Sequence, residues 1–126
     1  MTEPIEALGQ LQQDVMDEVW QRGRTTVAQV HARLSQRRKI AYTTVLTTMR
    51  NLERRGMLTH TQQGKAFVYA PTMGREQYAA GTVASFVQRV FGGRPESLLC
   101  HLLGTDALTA EDIERLRALV EQDQTV

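Results

Sequence analysis

The stretch that decides the fold is Tyr42-Thr43-Thr44-Val45-Leu46-Thr47-Thr48-Met49-Arg50-Asn51-Leu52-Glu53-Arg54-Arg55, followed by Gly56. At roughly 100° per residue with Val45 as origin, Met49 falls at about 40° and Leu52 at about 340°, giving one apolar stripe. Thr43, Thr47, Arg50 and Arg54 fall between about 140° and about 200°, on the opposite face, and Asn51 lies at its edge. The spacing predicts a helix from Tyr42 to Arg55, stopped by Gly56. Short hydroxyl side chains let a helix approach a major groove closely, Thr touches phosphate or a thymine methyl, and Arg grips guanine bidentately. Thr44 and Tyr42 adjoin this face at the helix start, and Tyr42 suits either a phosphate contact or packing. The same residues would also serve as a solvated face, and Arg54 and Arg55 favour the helix dipole whatever the function. Context decides between the two readings.

Upstream, Leu11, Val15, Met16, Val19 and Trp20 recur at helical spacing, which predicts a first helix from Leu8 to Gln21 ended by Gly23. Thr26 and Gln29 have the spacing of a capping box, opening a second helix with Val27, Val30 and Leu34 as its buried stripe. Arg37, Arg38 and Lys39 fill the connection to the third helix. Downstream of Gly56 the period becomes strand-like: Met57 to Thr61 and Lys65 to Ala70 flank Gln62-Gln63-Gly64, a β-hairpin closed by Pro71. Three helices and a hairpin in this order define a winged helix-turn-helix. The fold class is mostly α with a small β-hairpin wing. Lys65, beside the hairpin turn, is the candidate wing contact to phosphate, and Arg38 and Lys39 are candidates for phosphate positioning.

Charge follows the same division. From Arg22 to Lys65 ten basic residues face one acid, Glu53, although the whole chain of 126 residues has a net charge of only +1. From Arg75 onward five basic residues face eight acidic ones. A basic block before a mildly acidic tail marks a nucleic-acid-binding half joined to an association half. The boundary is placed at the Thr72–Gly74 linker, giving a DNA-binding domain over 1–74 and a helical dimerisation domain over 75–126.

In that second half Tyr78, Val83, Phe86, Val87, Val90 and Phe91 form one apolar helix face, interrupted by Gly92-Gly93. Leu98, Leu99, Leu102 and Leu103 continue in a short helix. Thr109 caps a last helix, with Asp112 at its third position and a stripe through Ile113, Leu116, Leu119 and Val120. A small domain alone buries only about 60% of the surface its unfolded chain exposes, so three short amphipathic helices suit a core shared between subunits. Phe86, Val90, Leu98, Leu102, Leu116 and Leu119 are the candidate dimer contacts.

The quoted elements carry a resemblance. Leu8-Gly9 through Trp20, the Ala41-Tyr42-Thr43-Thr44-Val45-Leu46-Thr47 run leading to Leu52 and Gly56, the Gly64-Lys65-Ala66-Phe67-Val68-Tyr69-Ala70-Pro71 wing and Leu108-Thr109 with Glu111-Asp112-Ile113 resemble the BlaI/MecI penicillinase-repressor family. The resemblance implies a homodimer whose winged helices bind a dyad operator near the repressed gene. It also implies, for the β-lactam-sensing members, release by a membrane sensor metalloprotease that cuts the dimerisation region at an Asn-Phe bond. The corresponding position here is His101-Leu102, a departure from that pattern. The paired Cys-x-Cys motifs of copper-responsive relatives are absent.

Other functions fit less well. His31, His60 and His101 lie on separate elements with no nucleophile or paired carboxylate at a telling spacing, and no glycine-rich phosphate loop is present, so no catalytic residue is assigned. The single cysteine, Cys100, reads as a small hydrophobe, and neither a metal site nor a cofactor is expected. A winged helix used for protein interaction would not need so basic a block. A small-molecule-sensing winged helix needs a longer chain to enclose a pocket. Met1 to Gly9 carries Glu3 and Glu6 and no apolar run, and Leu98–Leu103 falls far short of the ~20 residues of a membrane helix, so a cytoplasmic protein without membrane insertion is expected.

Overall fold

A computed structural model describes residues 4–124. The chain forms α1 (Gln10–Arg22), α2 (Val27–Leu34), α3 (Tyr42–Arg54), β1 (Leu58–Gln63), β2 (Ala66–Pro71), α4 (Arg75–Phe91), α5 (Pro95–Gly104) and α6 (Ala110–Gln124). Its contacts divide into two compact units, one reaching Thr82 and the other starting at Val83.

The first unit is built on the apolar stripes of its helices. Val15, Met16 and Val19 of α1, Val27, Val30 and Leu34 of α2, and Val45, Met49 and Leu52 of α3 are buried together, closed by Met57, Leu58 and Tyr69 from the hairpin. α2 begins where expected: the Thr26 hydroxyl accepts from the Gln29 N–H at 3.2 Å, and the Gln29 side chain accepts from the Thr26 N–H at 3.0 Å. α1 starts two residues later than its apolar pattern suggested, because Gly9 is extended and serves as the N-cap.

The hairpin is longer than its sequence signals indicated. β1 and β2 pair antiparallel from Leu58 opposite Pro71 to Gln63 opposite Ala66. Gly64 takes φ +64°, which lets Gly64-Lys65 close a two-residue turn, so Gln62 and Gln63 continue the ladder instead of forming the loop. Thr25 adds a further backbone bridge: its N–H donates to the Tyr69 carbonyl at 3.0 Å, and the Tyr69 N–H returns a bond to the Thr25 carbonyl at 2.7 Å. Neither composition nor spacing signals this bridge.

The division at residue 74 shifts into α4, because the start of that helix belongs to the first core. Tyr78 is buried, its ring lies 5.3 Å from that of Trp20, and its hydroxyl accepts the Leu8 N–H at 3.0 Å. The Gly81 carbonyl accepts from the Ile5 N–H at 2.8 Å, and a Cβ at Gly81 would collide with the Ile5 side chain.

In the second unit, Gly92 and Gly93 both have positive φ and end α4, and Pro95 occupies the first turn of α5. Phe91 meets Phe86 and His101 at ring separations of 5.7 and 5.2 Å. The Thr109 cap forms as the sequence indicates, with the Asp112 N–H donating to the Thr109 hydroxyl at 3.1 Å and the Thr109 N–H to the Asp112 carboxylate at 3.0 Å. Val87 is buried, but α5 buries no residue fully. No helix among the described residues is long and apolar enough to cross a membrane.

Candidate nucleic-acid interface

Burial of Val45, Met49 and Leu52 fixes the rotation of α3, and the opposite face follows. Thr43, Thr44, Thr47, Arg50 and Arg54 are exposed on it, while Asn51 is half-buried. Asn51 Oδ1 accepts from the Arg54 guanidinium at 3.0 Å, so these two side chains are engaged with each other. Arg50, Thr43 and Thr47 make no side-chain hydrogen bond or ion pair among the described residues. Thr48 instead turns inward and donates to the Thr44 carbonyl at 2.8 Å.

The basic connection before α3 divides in two. Arg38 is ion-paired with Asp14 of α1, and Arg33 and Arg37 approach the buried Glu18 carboxylate at 3.7 and 3.5 Å. These cations hold α2 and its following turn to α1 and neutralise a carboxylate that burial would otherwise penalise. Lys39 has no such partner among the described residues. Tyr42 is exposed and meets the His31 ring edge-on at 5.7 Å, and His31 Nε2 lies 2.8 Å from the Ile40 carbonyl. His31 is therefore a fastener of the connection rather than a ligand.

At the wing, Lys65 is exposed in the turn with no ion-pair partner among the described residues. What holds the wing to α3 leaves no periodic signal in the sequence. His60 Nδ1 lies 2.7 and 2.9 Å from the two Glu53 carboxylate oxygens, and its ring stacks on Phe67 at 4.5 Å. Strand alternation alone would put His60, Phe67 and Tyr69 on one face, but only the register reveals that they touch. Tyr69 is buried, and desolvation, reinforced by the charge of Glu53, holds its hydroxyl above the usual phenol range. Phe67, Tyr42, Leu46 and Tyr69 border a cleft of about 300 Å³ between α2, α3 and β2, with Lys65 at its rim.

The candidate dimer residues are placed on the second unit's surface: Phe86, Val90, Leu102, Leu116 and Leu119 are exposed and Leu98 is half-buried. His101 and Leu102 lie inside the regular α5 helix. The described residues contain no group of three or more potential metal ligands, and Cys100 is exposed rather than packed as expected.

Three helices, a paired hairpin and an exposed Thr/Arg face on the third helix define a winged-helix regulator. The penicillinase repressor family profile matches residues 8–122. The chain is 37% identical over 117 residues to the transcriptional regulator BlaI of Mycobacterium tuberculosis, covering 90% of this chain and 83% of that protein. It is 28% identical over 109 residues to the penicillinase repressor of Bacillus licheniformis, covering 86% and 85% respectively. The solution structure of the DNA-binding domain of the repressor BlaI superposes with a TM-score of 0.53 at 25% identity, covering 61% of this chain and 94% of that one. The chain belongs to the penicillinase repressor family and is a winged-helix transcriptional repressor, not an enzyme.

Proposed function

We propose that this repressor acts in the cytoplasm as a homodimer on a two-fold symmetric operator, with α3 in the major groove and the wing over the flanking backbone. The observation that carries the reading is the outward face of α3, where Thr43, Thr47 and Arg50 stand exposed and Arg50 makes no side-chain hydrogen bond or ion pair among the described residues. Arg50 and Thr47 read base edges, with Thr43, Thr44, Asn51 and Arg54 beside them. Lys65, Lys39 and Tyr42 face phosphates. Arg38 contributes to the surrounding positive potential while staying paired to Asp14.

Phe86, Val90, Leu98, Leu102, Leu116 and Leu119 form the subunit interface. The exposure of Phe86, Val90, Leu102, Leu116 and Leu119 in a single chain supports this, as does an apolar groove of about 460 Å³ bordered by Leu99, Leu103, Ile113, Leu116 and Val120. Pairing links two weakly binding winged helices, so the second half-site is met at high effective concentration. Loss of pairing is then the route to induction. A membrane sensor protease cutting at His101-Leu102 would achieve it, but only after local unwinding of α5.

The test replaces Leu116 by Asp, which places a charge where the partner packs. In sedimentation the Leu116→Asp chain is expected to be monomeric, and its operator affinity to fall well below that of the parent. Parent-like affinity in a monomer would sink the dimer mechanism.

A further inference from the structure

The cleft beneath the wing is not explained by the core or by the reading face of α3. Its walls are Tyr42 and Leu46 of α3, Ala28 of α2 and Phe67 of β2, with Tyr69 beneath and Lys65 at the rim. Tyr42 and Phe67 keep 47% and 40% of their surface exposed, an unusual investment for two aromatic rings on one edge of a small domain. At about 300 Å³ the space lies at the bottom of the range for a drug-sized ligand, and two of its walls are solvent-facing. Phe67 is held in place from behind by the His60 ring at 4.5 Å, and His60 is in turn fixed by Glu53. The rings are thus positioned before any ligand arrives.

Two features identify the occupant. The cleft adjoins the α3 face, since its α3 walls Tyr42 and Leu46 fall at about 60° and about 100°, beside Arg50 at about 140°, and among the described residues that line it the one charged side chain is the cation Lys65. A ligand that carries an apolar face and an adjoining negative charge fits this arrangement, and a nucleotide's deoxyribose and phosphate have that form. We propose that the cleft receives one sugar–phosphate unit of the operator strand, with Phe67 and Tyr42 packed on the deoxyribose and Lys65 on the neighbouring phosphate. This rests on the reading of α3 as the recognition helix.

The contact has a signature that separates it from the others. Every nucleotide carries the sugar, so the contact adds affinity without sequence preference, and packing carbon on carbon releases no counterions. Phe67→Ala in the full chain is expected to weaken binding to operator and to random duplex alike by about tenfold. The dependence of affinity on salt stays as in the parent. Phe67→Leu, which keeps the apolar contact without the aromatic stack, retains most of the affinity. Phe67→Trp gives direct evidence: saturating operator lowers acrylamide quenching of the introduced indole, measured against the parent's own Trp20 signal.

Unchanged affinity in Phe67→Ala, or an indole equally quenched with and without operator, overturns the proposal. The first of these would leave the cleft to a small molecule or a protein partner. A Phe67→Ala chain that also loses salt dependence, as Lys65→Ala should, overturns it as well, because the wing has then moved as a whole. Arg50→Ala separates the two levels. If it lowers operator preference while Phe67→Ala does nothing, only the cleft assignment fails. If neither has an effect, the placement of α3 fails first.

Discussion

Among single residues, the structure separates cations that act on the protein itself from those left for a ligand. Arg33, Arg37 and Arg38 are committed to Glu18 and Asp14, and Arg55 donates to Gln12 and to the Glu6 carbonyl. Arg50, Lys39 and Lys65 have no such commitment among the described residues. The ten-cation block therefore overstates the charge available to phosphates. Arg50→Ala is expected to lose roughly 1–3 kcal/mol at the cognate site while leaving binding to random duplex nearly unchanged. Lys65→Ala should weaken both by a similar factor and flatten the plot of log affinity against log salt by about one unit. Titrations at several salt concentrations decide between these assignments. Reversed outcomes would mean that α3 is rotated from its assigned docking. The outward set on α3 was legible in sequence because period alone fixes it. The pairing of Arg38 was not, because Asp14 lies far away in the chain and meets it only after α1 and α2 pack.

At the level of helices and strands, local chemistry sets the ends. The Thr26–Gln29 box satisfies two backbone donors at the start of α2, so Thr26→Ala is expected to cost about 1 kcal/mol. That corresponds to a fall of about 4–8 °C in the unfolding temperature of a domain this size, readable by circular dichroism. The cap of α6 has a pH dependence. Hydrogen bonds from the Thr109 backbone and hydroxyl hold the Asp112 carboxyl below its ordinary range. A depressed value means that the cap is fully formed above the ordinary carboxylate range and is lost as pH falls through the lowered one. Acid titration should fray α6 in the parent before global unfolding, and Asp112→Asn should remove that step. Both caps were evident from spacing. The length of the hairpin was not, because it depends on Gly64 taking positive φ and so closing the turn in two residues. The His60–Glu53–Phe67 cluster was equally hidden, since pairing across strands and against α3 leaves no periodic trace.

For the molecule as a whole, the location of the first core's boundary has a direct test. Tyr78 packs on Trp20 and accepts the Leu8 N–H, so a chain ending at residue 74 lacks a buried aromatic that one ending at residue 82 retains. The shorter fragment is expected to be less stable by about 3–5 kcal/mol in denaturant titration. Equal midpoints would mean that the start of α4 contributes nothing to that core. In the sequence the linker residues before Gly74 are conspicuous, while Tyr78 looks like part of an uninterrupted helical stripe. The Thr25–Tyr69 bridge gives the same unit a clock. Its two amides are each bound to the other residue's carbonyl, so neither can exchange unless the second wing strand lifts away from the segment that leads into α2. In heavy water, residues 25 and 69 should therefore take up deuterium together, at a rate that counts how often the wing detaches.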